Sequence, residues 1–360
     1  MRIKPKNHLL IIVISMFALA GSCKKDNDHA GTKLMYVGAA SLSEARDELA
    51  VATLSNKIFF AGGACDTGFT RSVDIYNSSS DTWSVAQLSM GRYLLSGAAA
   101  GSKALFAGGV GNKGVTNLVD IYDNAANAWT SAQLSEARWQ MAATAAGNKI
   151  FFAGGMDSSN NFSKIVDIYD VSTNTWTTAQ LSEARMLLAA TSAGNKVFFA
   201  GGTTGNGAYS KTVDIYDIAT NTWTTAQLSE GRSSFAAVSY GNKVIFGGGA
   251  IGGYISTKTV DIYDITTNTW TTAQLSEGRG GLQAAVIATK AVFGGGFAGV
   301  PVSKTVDVYD IVANSWATAQ LSEARAGLGA ATIANKLFFA GGYTGTKNSK
   351  TVDIFSVVNQ

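Results

Sequence analysis

The sequence predicts an all-β propeller: seven blades of four antiparallel strands each, arranged around a central channel. Three observations carry this. One phrase, TNTWTTAQLSEAR at residues 173–185, returns in edited form along nearly the whole chain and places arginines at 46, 92, 138, 185, 232, 279 and 325. Between successive arginines lie short runs of β-branched, aromatic and small residues bounded by Gly, Asn, Ser and Thr, the composition of strands and hairpin turns. A four-stranded unit of roughly 47 residues cannot bury both of its faces, so units of that length stack on their neighbours around an axis.

The first segment in chain order is not part of that ring. Arg2, Lys4 and Lys6 precede an apolar run at residues 9–19 that is too short to span a bilayer, and Ala20-Gly21-Ser22-Cys23 follows. This is the layout of an export signal. Small residues directly before a cysteine resemble the lipobox of bacterial lipoproteins, in which that cysteine is acylated. The departure from that pattern is Ala20, where an aliphatic residue is usual. The alternative is ordinary cleavage after Ala20, which leaves Cys23 a spare thiol. On the lipoprotein reading residues 1–22 are the signal, 23–32 a lipidated cysteine with a polar tether, and 33–360 the propeller. The chain is then exported and anchored by lipid at the outer membrane. Lys24-Lys25-Asp26 also resembles a surface-export signal, so a surface-exposed form is open.

The formal charge of +3 comes entirely from Arg2, Lys4 and Lys6, so the remainder is neutral and only 15% of the whole chain is charged. Neither a nucleic-acid surface nor a disordered chain has that composition. Beyond Cys23 the one cysteine is Cys65, so no intramolecular disulfide supports the ring and packing must hold it.

Within each repeat the arginine leads into a run of small residues, the innermost strand. A GNK-type turn follows, then an apolar strand closing in two glycines, as in KIFFAGG at residues 149–155. A variable loop comes next, then a VDIYD strand, a TNT-type turn and a tryptophan strand. The tryptophans are Trp83, Trp129, Trp176, Trp223, Trp270 and Trp316. Arginine, paired glycines, tyrosine and tryptophan in this order resemble the kelch repeat. The resemblance covers residues 42–360, seven times over, and implies a β-propeller. The last repeat ends without a tryptophan strand, while residues 33–41 stand before the first arginine with no blade of their own. Those residues are expected to supply the outer strand of the seventh blade, with Val37 in the tryptophan slot.

The recurring parts read first as structure. Each tryptophan is expected to pack between blades, and each arginine to bond carbonyls or a carboxylate of an adjoining blade. Function breaks symmetry, so candidate ligand contacts are sought where the repeats differ. The pairs after the arginines are Asp47-Glu48, Tyr93-Leu94, Trp139-Gln140, Met186-Leu187, Ser233-Ser234, Gly280-Gly281 and Ala326-Gly327. They suggest a lopsided pocket at the channel mouth, with an acidic edge (Asp47, Glu48), an apolar wall (Tyr93, Trp139, Met186) and a vacant side. Arg138 and Arg185 are included as charged contacts at that mouth. The loops after the paired glycines should share this face, and Phe162, Tyr209 and Tyr254 are their candidate contacts. Most of these loops end in a base (Arg71, Lys164, Lys211, Lys258, Lys304, Lys350), which is expected to pair with a nearby carboxylate.

Outside the leader the only histidine is His29, in the tether. No His-based triad, general base or His-ligated metal can be built in the ring, and the copper site of galactose oxidase, a kelch enzyme, has no ligands here. Neither a metal nor another cofactor is expected, and no residue is assigned a catalytic role. The expected function is a non-catalytic binding module for a glycan or an envelope or extracellular protein, with membrane contact through the lipid alone. The alternative is a metal-free carbohydrate-active enzyme, similar in fold to the sialic acid mutarotases, working at the channel mouth.

Overall fold

A computed structural model describes residues 32–252, 255–299 and 302–359. It is an all-β propeller with seven four-stranded antiparallel sheets. Blade three shows the plan, with strands Ala142–Ala146, Lys149–Ala153, Ile165–Asp170 and Thr175–Gln180 running from the axis outward. Ala142 pairs with Ala153, Ala153 with Val166 and Val166 with Ala179, so each sheet is a simple meander. Small residues make the inner strand because inner strands crowd one another around the axis. Ala50–Leu54 touches both Ser96–Ala100 and Gly329–Ile333, so blade one adjoins blade seven as it does blade two.

Burial falls off from the second strand outward. Ile150, Phe151, Phe152 and Ala153 are wholly buried, and the same positions are buried in every blade. Phe151 meets Phe199 and Tyr216 of blade four, and this blade-to-blade stacking is where most apolar area is removed from water. Each such Phe contributes about 1.5–3 kcal/mol on burial. The tryptophans are half-buried: Trp129 lies against Phe106 and Tyr122 of its own blade and Phe59 of the preceding one. Tyr169 fixes the turn that leads to its tryptophan by donating from its hydroxyl to Asn174 Oδ1 at 2.8 Å, and Asn174 takes the left-handed φ that the turn needs.

The paired glycines are required by close approach. A Cβ on Gly154 would stand 2.5 Å from the Arg185 carbonyl of blade four, and one on Gly155 would stand 2.7 Å from the Trp139 carbonyl. Gly155 N–H donates to that Arg185 carbonyl at 2.8 Å, so the glycine pair is the point where one blade is pinned to the next.

Thr32–Ser41 pairs antiparallel with Thr351–Asn359 and is the outer strand of blade seven. The slot opposite the third-strand aromatic is taken by Tyr36, facing Phe355, and not by Val37. A bulge between Tyr36 and Gly38 shifts the register by one residue, which a count back from the arginines cannot detect. Blades one and seven differ from the others in one further way. In blade three Lys149 bonds Asp170 of its own sheet at 2.8 Å. The corresponding third strands of blades one and seven carry Asn77 and Ser356 instead of Asp. Lys57 therefore reaches Tyr122 and Asn124 of blade two, and Lys336 reaches Tyr76 and Asp81 of blade one.

Candidate functional site

The phrase that opens each repeat wraps the carboxylate of its own third strand. In blade three Ser135 N–H donates to Asp167 Oδ1 at 3.0 Å, and Arg138 bonds Asp167 Oδ2 through Nη2. Arg138 Nη1 donates to the carbonyls of Gly154 and Ile165. Glu136 faces Arg138 Nε at 3.3 Å and accepts from Ser163 Oγ at the end of the loop. The side chains of Glu136 and Arg138 and the main-chain N–H of Ser135 are thus engaged inside one blade, not with an adjoining one.

All seven arginines are 0% exposed. Burial lowers the pKa of Arg138 and Arg185, while Asp167 and Asp214 respectively oppose that shift. Such a guanidinium stays charged, because its ordinary pKa lies far above neutral pH and the carboxylate beside it favours the cation. Arg138 and Arg185 therefore do not reach the mouth, contrary to the expectation from the sequence. Each is turned inward by a carboxylate of its own sheet.

The residue after each arginine also differs from expectation. Asp47, Trp139, Ser233, Gly280 and Ala326 form isolated bridges with the loop of their own blade, at Ala64, Met156, Ala250, Phe297 and Tyr343. Tyr93 and Met186 do the same in two-residue strands, with Val110 and Thr203. None of these residues lines the central cavity: Ser233 and Ala326 are buried, and Asp47, Tyr93, Trp139 and Met186 are half-buried among the loops. Tyr93 stacks on Phe69 of blade one, with ring centroids 4.5 Å apart. Phe162 and Tyr209 are half-buried and bridge to Met156 and Thr203. Tyr254 lies outside the described residues.

The second residue of each pair forms the mouth. Glu48, Leu94, Gln140, Leu187, Ser234, Gly281 and Gly327 all have left-handed φ, between 49° and 63°. Their main chains form one cycle. Glu48 N–H donates to the Gly327 carbonyl at 2.9 Å, Leu94 N–H to Glu48 at 3.2 Å, and so on through Gly281 to Gly327. Inside this ring lies a cavity of about 240 Å³, lined also by Leu49, Leu95, Met141, Leu188, Phe235 and Leu282. Among the described candidates from the sequence only Glu48 lines it. The vacant side is partly filled: the Phe297 ring leans to 3.3 Å from where a Gly281 Cβ would stand, and Glu48 Oε1 to 3.1 Å from that of Gly327.

Glu48 opens onto the lumen and is exposed to its water, while the walls of the lumen crowd it with protein. That crowding, and then Asp47 beside it, push its carboxyl up to about 7. Lumen water limits this shift, and the upward direction follows from the enclosure. Burial raises Asp47 as well, with Asp66 adding to it. No group of three or more His, Cys, Asp or Glu side chains placed to hold a metal occurs among the described residues. The bases ending the loops, Arg71, Lys164, Lys211, Lys258, Lys304 and Lys350, are exposed. Among the described residues no carboxylate lies within ion-pair distance of them, so the expected pairing is absent there.

Phe297 and Ile255 belong to the variable loops but are not among the contacts expected from the sequence. The local signal for Phe297 was the Gly280-Gly281 pair, since a glycine at the mouth leaves room for a side chain from the loop beside it. Ile251 (38% exposed), Ile255 (64%) and Phe297 (43%) occupy the loops of blades five and six. Ser256 Oγ joins those loops by donating to the Phe297 carbonyl at 3.2 Å.

Fold and mouth together define a β-propeller whose shared residues build the frame and whose variable residues face solvent on one side. The family model described as the KLHDC2/KLHL20/DRC7 Kelch-repeats domain matches residues 94–278 and, overlapping these, 140–342. These matches span more than half of the chain, which belongs to the kelch-repeat family. Kelch domains generally mediate protein–protein interaction, in agreement with a protein partner. No curated protein matches the chain.

Proposed function

We propose that this chain is an exported, lipid-anchored binding module that holds a partner on the loop-bearing face of its propeller without transforming it. The single observation that carries the reading is the division of labour on that face. The arginine and third-strand aspartate shared by the repeats are consumed inside a blade, whereas Ile251, Ile255 and Phe297 leave apolar side chains in solvent on adjoining loops. Exposed apolar groups clustered on one part of a surface mark an interaction site. That chemistry suits a protein partner, and the family-level role points the same way. A glycan stacked on an aromatic such as Phe297 is the other form of the same reading. The enzymatic alternative finds one suitable acid in the cavity, Glu48, and among the described residues of its lining no second ionisable group to share acid–base work.

The experiment is crosslinking and recovery of partners from intact envelopes, using the full chain and its Ile255→Glu and Phe297→Glu forms, with a glycan panel in parallel. A partner or glycan held by the parent and lost by both variants supports the proposal. Equal recovery by all three places the site elsewhere, and turnover of a glycan overturns the non-catalytic reading. Acylation of Cys23 is tested separately by metabolic labelling with a fatty-acid probe, in which Cys23→Ser should carry no label.

A further inference from the structure

We propose that the axial cavity is a receptor for a primary ammonium on an apolar stem, held by Glu48 against a wall of leucines. The geometry excludes the opposite charge first. Each of the seven main-chain N–H groups around the mouth is spent on the carbonyl of the neighbouring ring residue, from Glu48 to Gly327 and back. No ring amide is left to bind an anion. The acceptors are in surplus, since each ring carbonyl takes one hydrogen bond there and keeps a lone pair.

The side chains agree with this. Among the described residues lining the cavity Glu48 is the only ionisable group, and its carboxyl makes no hydrogen bond with them. Its neighbour in charge is Asp47, which has Asp66 beside it in turn, and both are acidic. Arg46 and Arg92, of blades one and two, are committed to Asp74 and Asp120 and do not face the lumen. Gln140, Ser234 and Gln283 add neutral polar groups, and Leu94, Leu95, Leu187 and Leu188 supply one side of an apolar sleeve. A cavity of about 240 Å³ has the room of roughly eight water molecules, enough for a four-carbon stem and its head group. An ammonium there gives Glu48 the counter-charge that the fold withholds. Guanidinium is less suited, because its flat fork asks for paired acceptors and the lining has one carboxylate.

The inference deepens the binding reading, because a lysine side chain on the docked partner is one source of such a head group and a free alkylamine is the other. Calorimetry on the full chain would use three probes: n-butylammonium, Nα-acetyl-lysine methylamide and the Nε-acetylated form of the latter. Ammonium probes should bind, and Nε-acetylation or Glu48→Gln should each weaken binding by at least about tenfold, the scale of a lost hydrogen-bonded charge. Tighter binding of the lysine derivative than of butylammonium assigns the site to a protein-borne lysine, and the reverse order to a free amine. Gln140→Glu adds a second carboxylate to the lining and should tighten ammonium binding, a check that holds even if Glu48→Gln folds poorly. Equal affinity for the acetylated and free probes, or no change in either variant, overturns the inference. Partner capture through Ile255 and Phe297 without ammonium binding sinks this inference alone. Ammonium binding with no partner captured sinks the docking surface and leaves the cavity.

Discussion

Arg138 and Gln140 stand two residues apart and obey different rules. Position 138 and its six counterparts are always arginine, fully buried and tied to an aspartate of the third strand. Position 140 and its counterparts are Gln, Glu, two Leu, Ser and two Gly, and share only a left-handed backbone and a place in the hydrogen-bonded ring. The first set is uniform because a buried guanidinium tolerates one kind of partner. The second varies because its structural duty is done by the main chain, which frees the side chain for the lumen. Five of the seven are not glycine despite φ near 50°, a conformation that costs an L-residue about 1–2 kcal/mol. That cost is borne at the mouth, and strained backbone gathers where side chains are used for binding.

The contrast can be broken most severely from the frame side. Asp167→Ala strands Arg138 without its carboxylate and should cost about 3–5 kcal/mol in urea unfolding, whereas Gln140→Ala should stay within about 0.5 kcal/mol. Comparable losses at both positions would erase the distinction. Trp223→Ala, also in the frame but half-buried, is expected to lose about 2–3 kcal/mol, below the range for a wholly buried tryptophan. A smaller effect of opposite sign is expected at the mouth, where Ser234→Gly removes the left-handed strain and should gain about 1 kcal/mol. A loss there would mean that the ring is not strained.

An effect of similar size concerns Glu48. Its folded carboxyl titrates above the ordinary glutamate value of 4.5, so between there and about 7 the folded state holds the proton that the unfolded state releases. The favourable contribution is complete below the unfolded value and disappears as pH rises through the folded one. Melting temperature should therefore fall slightly from pH 5 to pH 8 through this group, by the equivalent of about 1 kcal/mol once lumen water is allowed for. Glu48→Gln should flatten that slope, and an unchanged slope would show that the lumen hydrates Glu48 fully.

Much of this architecture was legible in the chain. Paired glycines, VDIYD runs and tryptophans mark strand ends and strands because close approach, burial and turn chemistry each restrict residue type. The propeller and the sharing of one face by crossovers and loops follow from those marks. The site was less legible, and the reasons are local. Asp47-Glu48 and its counterparts lie between a crossover and a strand, where alternation does not hold and a left-handed residue redirects the chain. Tyr93, Trp139 and Met186 therefore turn to the loops, and their smaller neighbours face the axis. Arg138 and Arg185 looked available because arginine is usually exposed, but Asp167 and Asp214, about 29 residues away in sequence, take them in.

By itself the sequence determined the all-β class, the repeat, the family resemblance and the absence of histidine chemistry in the ring. These depend on composition and on short-range spacing, which the chain carries explicitly. Tertiary structure alone decided which member of each pair reaches the lumen, which carboxylate each arginine takes, and that Tyr36 rather than Val37 fills the last tryptophan slot. It also brought Glu48 of blade one over Gly327 of blade seven, and Phe297 over Gly281. Those outcomes depend on a backbone turn, a bulge and the meeting of blades around an axis, and a contact between residues far apart in sequence exists only once the ring has formed.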